Sequence, residues 1–271
     1  MKNIFQSFAC PYCQSDLEFH AEQIVCPNCK NIFPIVGNLP DFLLKNQEDG
    51  GETLMNRASR FDDLSKVYES SWGGSPKIVV WLLTRKIKNR NGIGLDIACG
   101  TGQVARPLTK KMNYVYGVDI SMGMVRKAFE LSQKEIINNI SFARCDSENL
   151  PFKDNFFDFV SCSGALHAFP NAEKSLREMQ RVLKLGGVLS IMALLEKDIP
   201  SVIDPTKREL KKNSTKEETV EFNKAHSSME KLDVKIHRFT LDELKTLINK
   251  LGFKNFKHLK FGPIIIFSVK K

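Results

Sequence analysis

Four of the seven cysteines lie in the first 29 residues, as the pairs Cys10–Cys13 and Cys26–Cys29. Each Cys-x-x-Cys pair can form a tight turn that directs two thiolates at one point, and four thiolates form a closed tetrahedral site that suits Zn²⁺. A segment of about 40 residues buries too little core to fold without such a crosslink. We therefore predict a structural zinc site in a ribbon over residues 1–45. Two disulfides or an iron site are the alternatives, and a cytoplasmic setting disfavours disulfides.

A second group of residues suits a nucleotide-like ligand. The segment 100–105, GTGQVA, fits the pattern G-x-G-x-x-G/A between a strand and a helix, and Asp119 follows the next strand, where a carboxylate can hold two ribose hydroxyls. A dinucleotide-binding dehydrogenase has the same pattern. Asp96 distinguishes a dinucleotide from S-adenosylmethionine as the ligand. A carboxylate four residues before the turn disfavours a pyrophosphate and suits the sulfonium and ammonium groups of S-adenosylmethionine. Its alternative role is to cap the end of the strand.

The elements that must position these residues alternate along the chain. Apolar strands and amphipathic helices follow one another, which predicts an α/β fold with a doubly wound, mostly parallel, Rossmann-like sheet. We expect Gly186-Gly187 to end the last of the three helices between the strands. The predicted strands are 93–98, 114–120, 139–146, 156–165 and 188–195; the predicted helices are 103–111, 121–131, 171–183 and one opened by a capping box at 240–243; a hairpin closes the chain within 256–271.

Three further segments complete the predicted organisation. Residues 46–52 form a polar linker, so the main domain spans residues 53–271. Helical spacing of apolar residues predicts two N-terminal helices over 53–90, broken at 73–77. The lysine-rich segment 197–238 interrupts the fold, either as a lid over the acceptor or as a surface insertion.

Length, composition and charge limit the classes of protein to which this chain can belong. The 271 residues suffice for one sizeable domain and one small domain, and 42% hydrophobic with 26% charged residues are typical of a globular protein. The longest apolar runs are far shorter than the ~20 residues that span a bilayer, and the N-terminus has no signal-like apolar core, so we expect a cytoplasmic protein without a membrane span. The net charge of +9 allows an RNA partner, although lysines scattered over a solvated surface give the same charge.

Four segments together resemble class I S-adenosylmethionine-dependent methyltransferases. They are LDIACGTG (95–102), GVDIS (117–121), ARCDSENLPFKDNFFDFV (143–160) and LREMQRVLKLGGVLSI (176–191). The likeness covers about Leu95 to Ala193 and is closest to the branch of quinone-biosynthesis and other small-molecule methyltransferases. The chain departs from the family at Ala98, where the motif has its first glycine, and alanine is small enough to fit there.

The resemblance implies a cofactor site. Asp96, Ala98, Gly100 and Gly102 would line the methionine end, and Asp119 with Ile120 would hold the ribose. The adenine would contact Asp146 and Ser147, while Ser163 and Gly164 would approach the sulfonium. Asp158 matches a conserved position of the family for which we expect a structural role.

The N-terminal segment has its own likeness. Residues 31–44, NIFPIVGNLPDFLL, resemble the end of the zinc ribbon in the small activator subunit of several methyltransferases. A zinc ribbon also precedes the catalytic domain of rRNA guanine methyltransferases. These likenesses imply a zinc ribbon attached to a methyltransferase domain.

The residues leave the acceptor open. His167 lies just beyond the fourth strand, where the acceptor should enter, and is our candidate general base; packing at the rim of the cofactor site is its alternative. His226 and His237 lie in or beside the possible lid. We favour a small-molecule acceptor, because CSGALH at 162–167 lacks the Asn-Pro-Pro-aromatic run that grips a flipped base. An RNA methyltransferase that uses the ribbon to bind phosphates, and a regulatory subunit without turnover, are the alternatives.

Overall fold

The computed structural model describes most of the chain. The described residues are 7–43, 48–49, 52–66, 68, 77–87, 89–195, 215–217, 219–220, 223, 237 and 239–271. The possible lid at 197–238, with His226, therefore lies almost wholly outside the described residues. No helix within the described part of the chain is long and apolar enough to cross a membrane.

The N-terminal module is a small antiparallel sheet of four strands in sequential order: β1 (Glu18–Phe19), β2 (Gln23–Val25), β3 (Ile32–Val36) and β4 (Leu39–Pro40). The first cysteine pair precedes β1 and the second lies in the turn between β2 and β3. The β2–β3 pairing, with Ile24 opposite Phe33, brings the two cysteine turns to the same end of the module. Residues 18–40 thus form a small antiparallel sheet with the four cysteines at one end.

A short connection leads to the main domain. Strands β5 (Glu48–Asp49) and β6 (Glu52–Thr53) pair with each other, and helices α1 (Leu54–Ser65) and α2 (Lys77–Thr84) follow. The expectation of two helices in this region is confirmed in α1 and α2, while the predicted break at 73–77 lies outside the described residues except for Lys77, where α2 begins.

A seven-stranded sheet forms the main domain. Its elements, in chain order, are β7 (Ile93–Ile97), α3 (Ala105–Leu108), β8 (Tyr114–Asp119), α4 (Met122–Lys134), β9 (Ile140–Arg144), β10 (Phe157–Ser163), α5 (Ala172–Val182), β11 (Leu183–Leu194), α6 (Leu241–Lys250), β12 (Lys254–Phe261) and β13 (Ile264–Lys270). The strand order is β12-β13-β11-β10-β7-β8-β9, with β7 to β11 parallel and the β12–β13 hairpin antiparallel. The predicted doubly wound, mostly parallel α/β fold is confirmed.

The strand order reverses next to β7, which has β8 on one side and β10 on the other. Open α/β sheets bind ligands in the crevice at the carboxyl ends of strands at such a reversal. The glycine turn follows β7, so the candidate site lies at this switch point. The carboxyl ends of β8, β9 and β10 bring the other predicted residues to the same edge.

Local signals explain most helix boundaries. Ser121 accepts a hydrogen bond from the Met124 amide at 3.0 Å and caps α4, and Thr240 forms a reciprocal capping box with Glu243 at the start of α6. Gly252, in a left-handed conformation, follows α6 and ends it.

One predicted helix, 103–111, is longer than the observed one, and one predicted helix terminator is wrong. The helix after the glycine turn is only Ala105–Leu108. Beyond it, hydrogen bonds between residues three positions apart, such as that from the Thr109 amide to the Arg106 carbonyl, replace the α-helical pattern. Helix α5 ends at Val182, and Gly186-Gly187 lie inside β11 instead of terminating the helix. Leu183 already has extended backbone, so the chain passes directly from helix to strand.

Candidate cofactor and acceptor site

The glycine turn has an unusual backbone. Ala98, Gly100 and Gly102 all have φ in the left-handed region, at 52°, 54° and 83°. This conformation costs an L-residue such as Ala98 more than glycine, which explains why the family pattern has glycine there. The amide of Gly102 donates to the carbonyl of Cys99 at 2.9 Å and closes the turn. The turn therefore exposes backbone to a ligand at the end of β7.

Asp119 at the end of β8 holds this turn in place. Its Oδ2 accepts a hydrogen bond from the Gly100 amide at 2.8 Å, and its Oδ1 accepts from the Ser121 amide at 3.0 Å. The side chain is 8% exposed, and burial raises its pKa to about 6 in spite of these amides. A carboxylate that joins the glycine turn to the start of α4 lies where the resemblance places the ribose.

Asp96 is more deeply buried, at 1% exposed. It lies opposite Ser161 on β10, whose hydroxyl donates to it at 2.8 Å, and it accepts from the Ala105 amide at the start of α3. Burial raises its pKa to about 7, and the nearby Asp119 adds to the rise. Two neighbouring carboxyl groups thus hold the two ends of the glycine turn.

The predicted adenine and ribose neighbours lie beside these carboxyl groups. Asp146, just after β9, accepts from the Glu148 amide and the Asn149 side chain, each at 3.1 Å. Ser147 shares a 3.0 Å hydrogen bond with Ser175 of α5, which ties this loop to the helix behind it. Ile120 packs beside Leu43 and α1.

The end of β10 carries two buried polar atoms with no hydrogen-bond partner among the residues that the structure describes. They are Oγ of Ser163 and Nδ1 of His167. Buried polar atoms are rarely left unpaired, so such atoms indicate a missing ligand or water. Cys162 pairs with Ile97, which places Ser163 beside Ala98 at the start of the glycine turn. Gly164, also with φ in the left-handed region, follows it.

His167 lies in a single 3₁₀ turn, Leu166–Ala168. Burial lowers its pKa to about 4, so the ring is neutral at physiological pH and able to accept a proton. The amide of His237 donates to the His167 carbonyl at 2.9 Å, and the His237 ring packs edge-on to Phe239. The end of the possible lid is thus held beside the candidate base.

Two site residues on the N-terminal helices escaped the sequence analysis. The Tyr68 ring lies 3.8 Å from the position that a Cβ would take at Gly100, so it borders the glycine turn. Asp62 of α1 accepts from the Ser121 hydroxyl at 2.5 Å and from the Gly123 amide at 2.7 Å. Helix α1 is thereby held on the start of α4, close to Asp119. The helical spacing of Phe61, Leu64 and Tyr68 indicated a packed helix but not what it packs against.

The four ribbon cysteines form a compact cluster. Their sulfur atoms all lie within 4.8 Å of one another, with 3.5 Å between Cys10 and Cys29 and 3.4 Å between Cys13 and Cys26. None of the seven cysteines forms a disulfide. Four sulfurs about 2.3 Å from one centre would lie this close together, so the donor set fits a tetrahedral metal such as Zn²⁺.

The ribbon packs against the cofactor side of the main domain. Phe8 stacks on Phe152 with ring centroids 5.1 Å apart, and the amides of Ala9 and Lys153 bond to carbonyls across the junction. At the other side, the Phe42 amide donates to the Arg144 carbonyl at 2.9 Å and extends the edge strand β9. Residues 144–153, which contain Asp146, are therefore bracketed by ribbon contacts.

Comparisons with known proteins agree with this geometry. The profile of a family described as "Methyltransferase domain" matches residues 95–191. A demethylmenaquinone methyltransferase of Bacteroides fragilis is 28% identical over 261 residues, which is 86% of this chain and 100% of that protein. A ubiquinone/menaquinone biosynthesis C-methyltransferase, UbiE, of Yersinia pestis is 39% identical over 102 residues, but this alignment spans only 36% of the chain and 41% of that protein.

Among solved structures, the [4+2]-cyclase SpnF superposes with a TM-score of 0.59 at 16% identity, covering 79% of this chain and 94% of that one. This likeness concerns the fold alone. The family match shows that residues 95–191 form a methyltransferase domain, and the named relatives are methyltransferases, so the chain is similar to S-adenosylmethionine-dependent methyltransferases. The alternative of a subunit without turnover is therefore not supported.

Proposed function

We propose that this methyltransferase transfers the methyl group of S-adenosylmethionine to a small-molecule acceptor of the quinone class, in its reduced hydroquinone form. The observation that carries the acceptor class is the alignment with the Bacteroides enzyme, which extends over that protein's whole length and so includes the regions outside the cofactor motifs. His167, which is buried and neutral just beyond β10, is the candidate base of this proposal.

The cofactor, when bound, supplies a methyl group on a positively charged sulfur. Asp119 and the glycine turn hold the ribose and methionine portions, and Asp96 adds negative charge beneath the turn. Asp146 and Ser147 would border the adenine, and Ile120 would lie beside the ribose. The unpartnered hydroxyl of Ser163 would be available to the reacting end of the cofactor, and Tyr68 borders the glycine turn at Gly100. Much of the rate enhancement then comes from orientation, which is worth up to about 7–11 kcal/mol.

His167 has a defined proton role in this proposal. The acceptor would gain the methyl group at a ring carbon, and the sulfur would keep the electron pair of the broken S–C bond. The ring hydrogen at that carbon would then be lost and the hydroxyl group re-formed, so that one proton is released for each methyl group. Removal of a hydroxyl proton makes the ring more nucleophilic. The unpartnered Nδ1 of neutral His167 would take that proton, and general-base catalysis of this kind contributes about 10²–10⁴ in rate.

The ribbon has a structural role in the proposed function. Cys10, Cys13, Cys26 and Cys29 bind one Zn²⁺, and the closed four-sulfur site leaves no position for a substrate. The ribbon then supports residues 144–153 from outside the cofactor site. We retain the division into a ribbon at 1–45, a linker at 46–52 and a methyltransferase domain at 53–271.

The deciding experiment offers purified protein both acceptor classes with isotope-labelled S-adenosylmethionine. We expect label in a soluble naphthohydroquinone that lacks a ring methyl group, detected by mass spectrometry, and none in ribosomal RNA. His167→Gln should abolish most of this transfer without loss of cofactor binding. Label in RNA alone would refute the small-molecule acceptor and favour the RNA alternative. None of the relatives named above is described as acting on RNA.

A further inference from the structure

The outer side of helix α2 carries apolar side chains that contact solvent. Leu82 and Leu83 bury the inner side against Val104 and Ile266, whereas Ile78 and Trp81 are more than half exposed. Positions i and i+3 lie on the same side of a helix, so these two side chains form one exposed apolar strip. The Arg85 guanidinium, one turn further, lies 5.9 Å from the centre of the Trp81 ring.

Strand β12 adds to this strip from the neighbouring sheet. Leu259 belongs to the same cluster as the inner side of α2, and alternate residues of a strand face one side of a sheet. Phe261, two residues beyond Leu259, therefore faces the α2 side, and 53% of its surface is exposed. It pairs with Ile264 at the hairpin turn, beside the carboxyl end of β11. This is the edge of the sheet that also bears the glycine turn.

Below α2, the same side of the sheet opens into a basic cleft of about 510 Å³. Lys86, Lys184, Lys257 and Lys270 line it, together with the exposed Leu185. Asp158 is the one acidic residue among the described residues of the lining, and Lys184 already neutralises it at 2.8 Å. The remaining three lysines have no acidic partner within the part of the chain that the structure describes. The cleft thus offers uncompensated positive charge.

We propose that this surface, which we name the α2 face (Ile78, Trp81, Leu185 and Phe261 with Arg85 and the four cleft lysines), docks on an anionic lipid bilayer. Four of the seven exposed large apolar side chains among the described residues lie on it. Aromatic and aliphatic side chains enter the headgroup boundary, and lysines near an anionic surface add electrostatic attraction. Lipid phosphates supply the negative charge that the cleft lacks.

The inference rests on the proposed function in one respect. A quinone acceptor with an isoprenoid tail resides in a bilayer, and an enzyme that docks beside it avoids extracting the tail into water. The hairpin turn at 262–263 places the apolar end of the α2 face at the edge of the sheet where the acceptor enters. The Phe261 end of the α2 face would then lie at the acceptor edge, whereas the cleft lysines would contact the bilayer further along the face, beside the starts of β10 and β11.

Flotation of the full-length protein with vesicles tests the proposal without any acceptor present. We expect it to float with phosphatidylcholine vesicles that contain phosphatidylglycerol, and much less with phosphatidylcholine alone. The double variant Trp81→Ser/Phe261→Ser, and separately Lys257→Glu/Lys270→Glu, should each weaken binding by about tenfold or more. Ile136→Ser is the matched control, because Ile136 is 79% exposed but follows α4, away from the α2 face.

Two assays separate this proposal from the proposed function. Methylation of a soluble hydroquinone should be unchanged in Trp81→Ser/Phe261→Ser, while methylation of a long-tailed hydroquinone in anionic vesicles should fall. Equal vesicle binding by wild type and both double variants would overturn the docking surface. The proposal would also be overturned if the wild type does not bind vesicles but binds RNA, or forms a dimer in sedimentation, and the double variants abolish that RNA binding or dimer. Vesicle binding with no hydroquinone methylation would retain the docking surface and refute the acceptor.

Discussion

Arg144 and Asp41 form a paired ion bridge between the main sheet and the ribbon. Nε of Arg144 donates to Oδ1 of Asp41 at 2.7 Å, and Nη2 donates to Oδ2 at 2.6 Å. Both side chains are less than 10% exposed. Arg144 ends β9 two residues before Asp146, so this bridge connects the end of the ribbon to the candidate adenine loop.

Removing one partner of this bridge should destabilise the protein strongly. Asp41→Ala leaves the Arg144 guanidinium buried without its counter-charge, which typically costs about 3–5 kcal/mol. Urea unfolding should report this loss. The control is Lys250→Ala, which breaks the more exposed bridge to Glu173 and should cost at most about 1 kcal/mol.

The same variant should weaken S-adenosylmethionine binding, because the loop that contains Asp146 loses its outer support. Calorimetry at a temperature where Asp41→Ala remains folded measures this effect. A loss of stability with unchanged affinity would show that the ribbon stabilises the fold without positioning the cofactor loop.

The metal prediction concerns the ribbon itself. Purified protein should contain one zinc per chain, and Cys26→Ser should lose it, because Cys26 is fully buried within the sulfur cluster. Zinc binding contributes on the order of 10 kcal/mol to small modules of this kind. Proteolysis should then cut within residues 1–45 while the methyltransferase domain stays folded. A Cys26→Ser protein with full zinc content would contradict the assignment of these ligands.

The contrast between these features shows what the sequence could predict. The cysteine pairs, the glycine turn and the cap at Ser121 depend on spacings of a few residues, so they were readable directly. Asp41 and Arg144 are 103 positions apart, and nothing local marks either as buried. Asp62 looked like an ordinary polar residue of a surface helix. The end of α5 was predicted to within one residue, but Gly186-Gly187 does not terminate this helix, because tertiary pairing with β10 and β13 places both glycines inside strand β11.

The contact between α1 and α4 should be sensitive to a single methyl group. A Cβ at Gly123 would lie 2.8 Å from the Ser65 hydroxyl and 2.9 Å from the Asp62 Cα, and the latter is backbone that cannot move aside alone. Gly123→Ala should therefore cost about 1–3 kcal/mol in unfolding free energy, since overpacking shifts α1. It should also weaken cofactor binding, because the displaced chain carries Tyr68 past Gly100. Thermal denaturation and calorimetry measure the two effects, and unchanged values in both would contradict the tight packing.

The base role of His167 makes a kinetic prediction. His167→Gln should lower kcat for a hydroquinone acceptor by about 10²–10⁴ and leave the affinity for S-adenosylmethionine nearly unchanged. Since burial lowers the pKa of His167 to about 4, protonation of this ring should not limit the rate near neutral pH. A variant with full kcat would show that His167 only packs at the rim of the site.

Cofactor affinity should depend on pH through Asp96 and Asp119. Burial raises their pKa values to about 7 and about 6 from an ordinary value of 3.8, so both groups are partly protonated in the free protein near pH 6. The cationic cofactor favours the ionised carboxylates and should release protons on binding. Affinity should therefore rise with pH between about 5 and 8, by up to tenfold per pH unit for each group below its pKa. Calorimetry in buffers with different ionisation enthalpies counts the protons released.

Stability of the free protein should move in the opposite direction. The folded-state pKa of each carboxyl group lies above its unfolded value, so the folded chain holds more protons between about pH 4 and pH 7, and its stability falls as pH rises through this window. Asp96→Asn replaces the carboxyl group by a neutral group of the same shape. It should remove most of the pH dependence of stability near pH 7, measured by urea unfolding, and most of the proton release on cofactor binding at this pH. Because S-adenosylhomocysteine lacks the sulfonium charge, its affinity should depend less on pH than that of S-adenosylmethionine. Equal pH dependence for the two ligands would place the cofactor's charge away from Asp96.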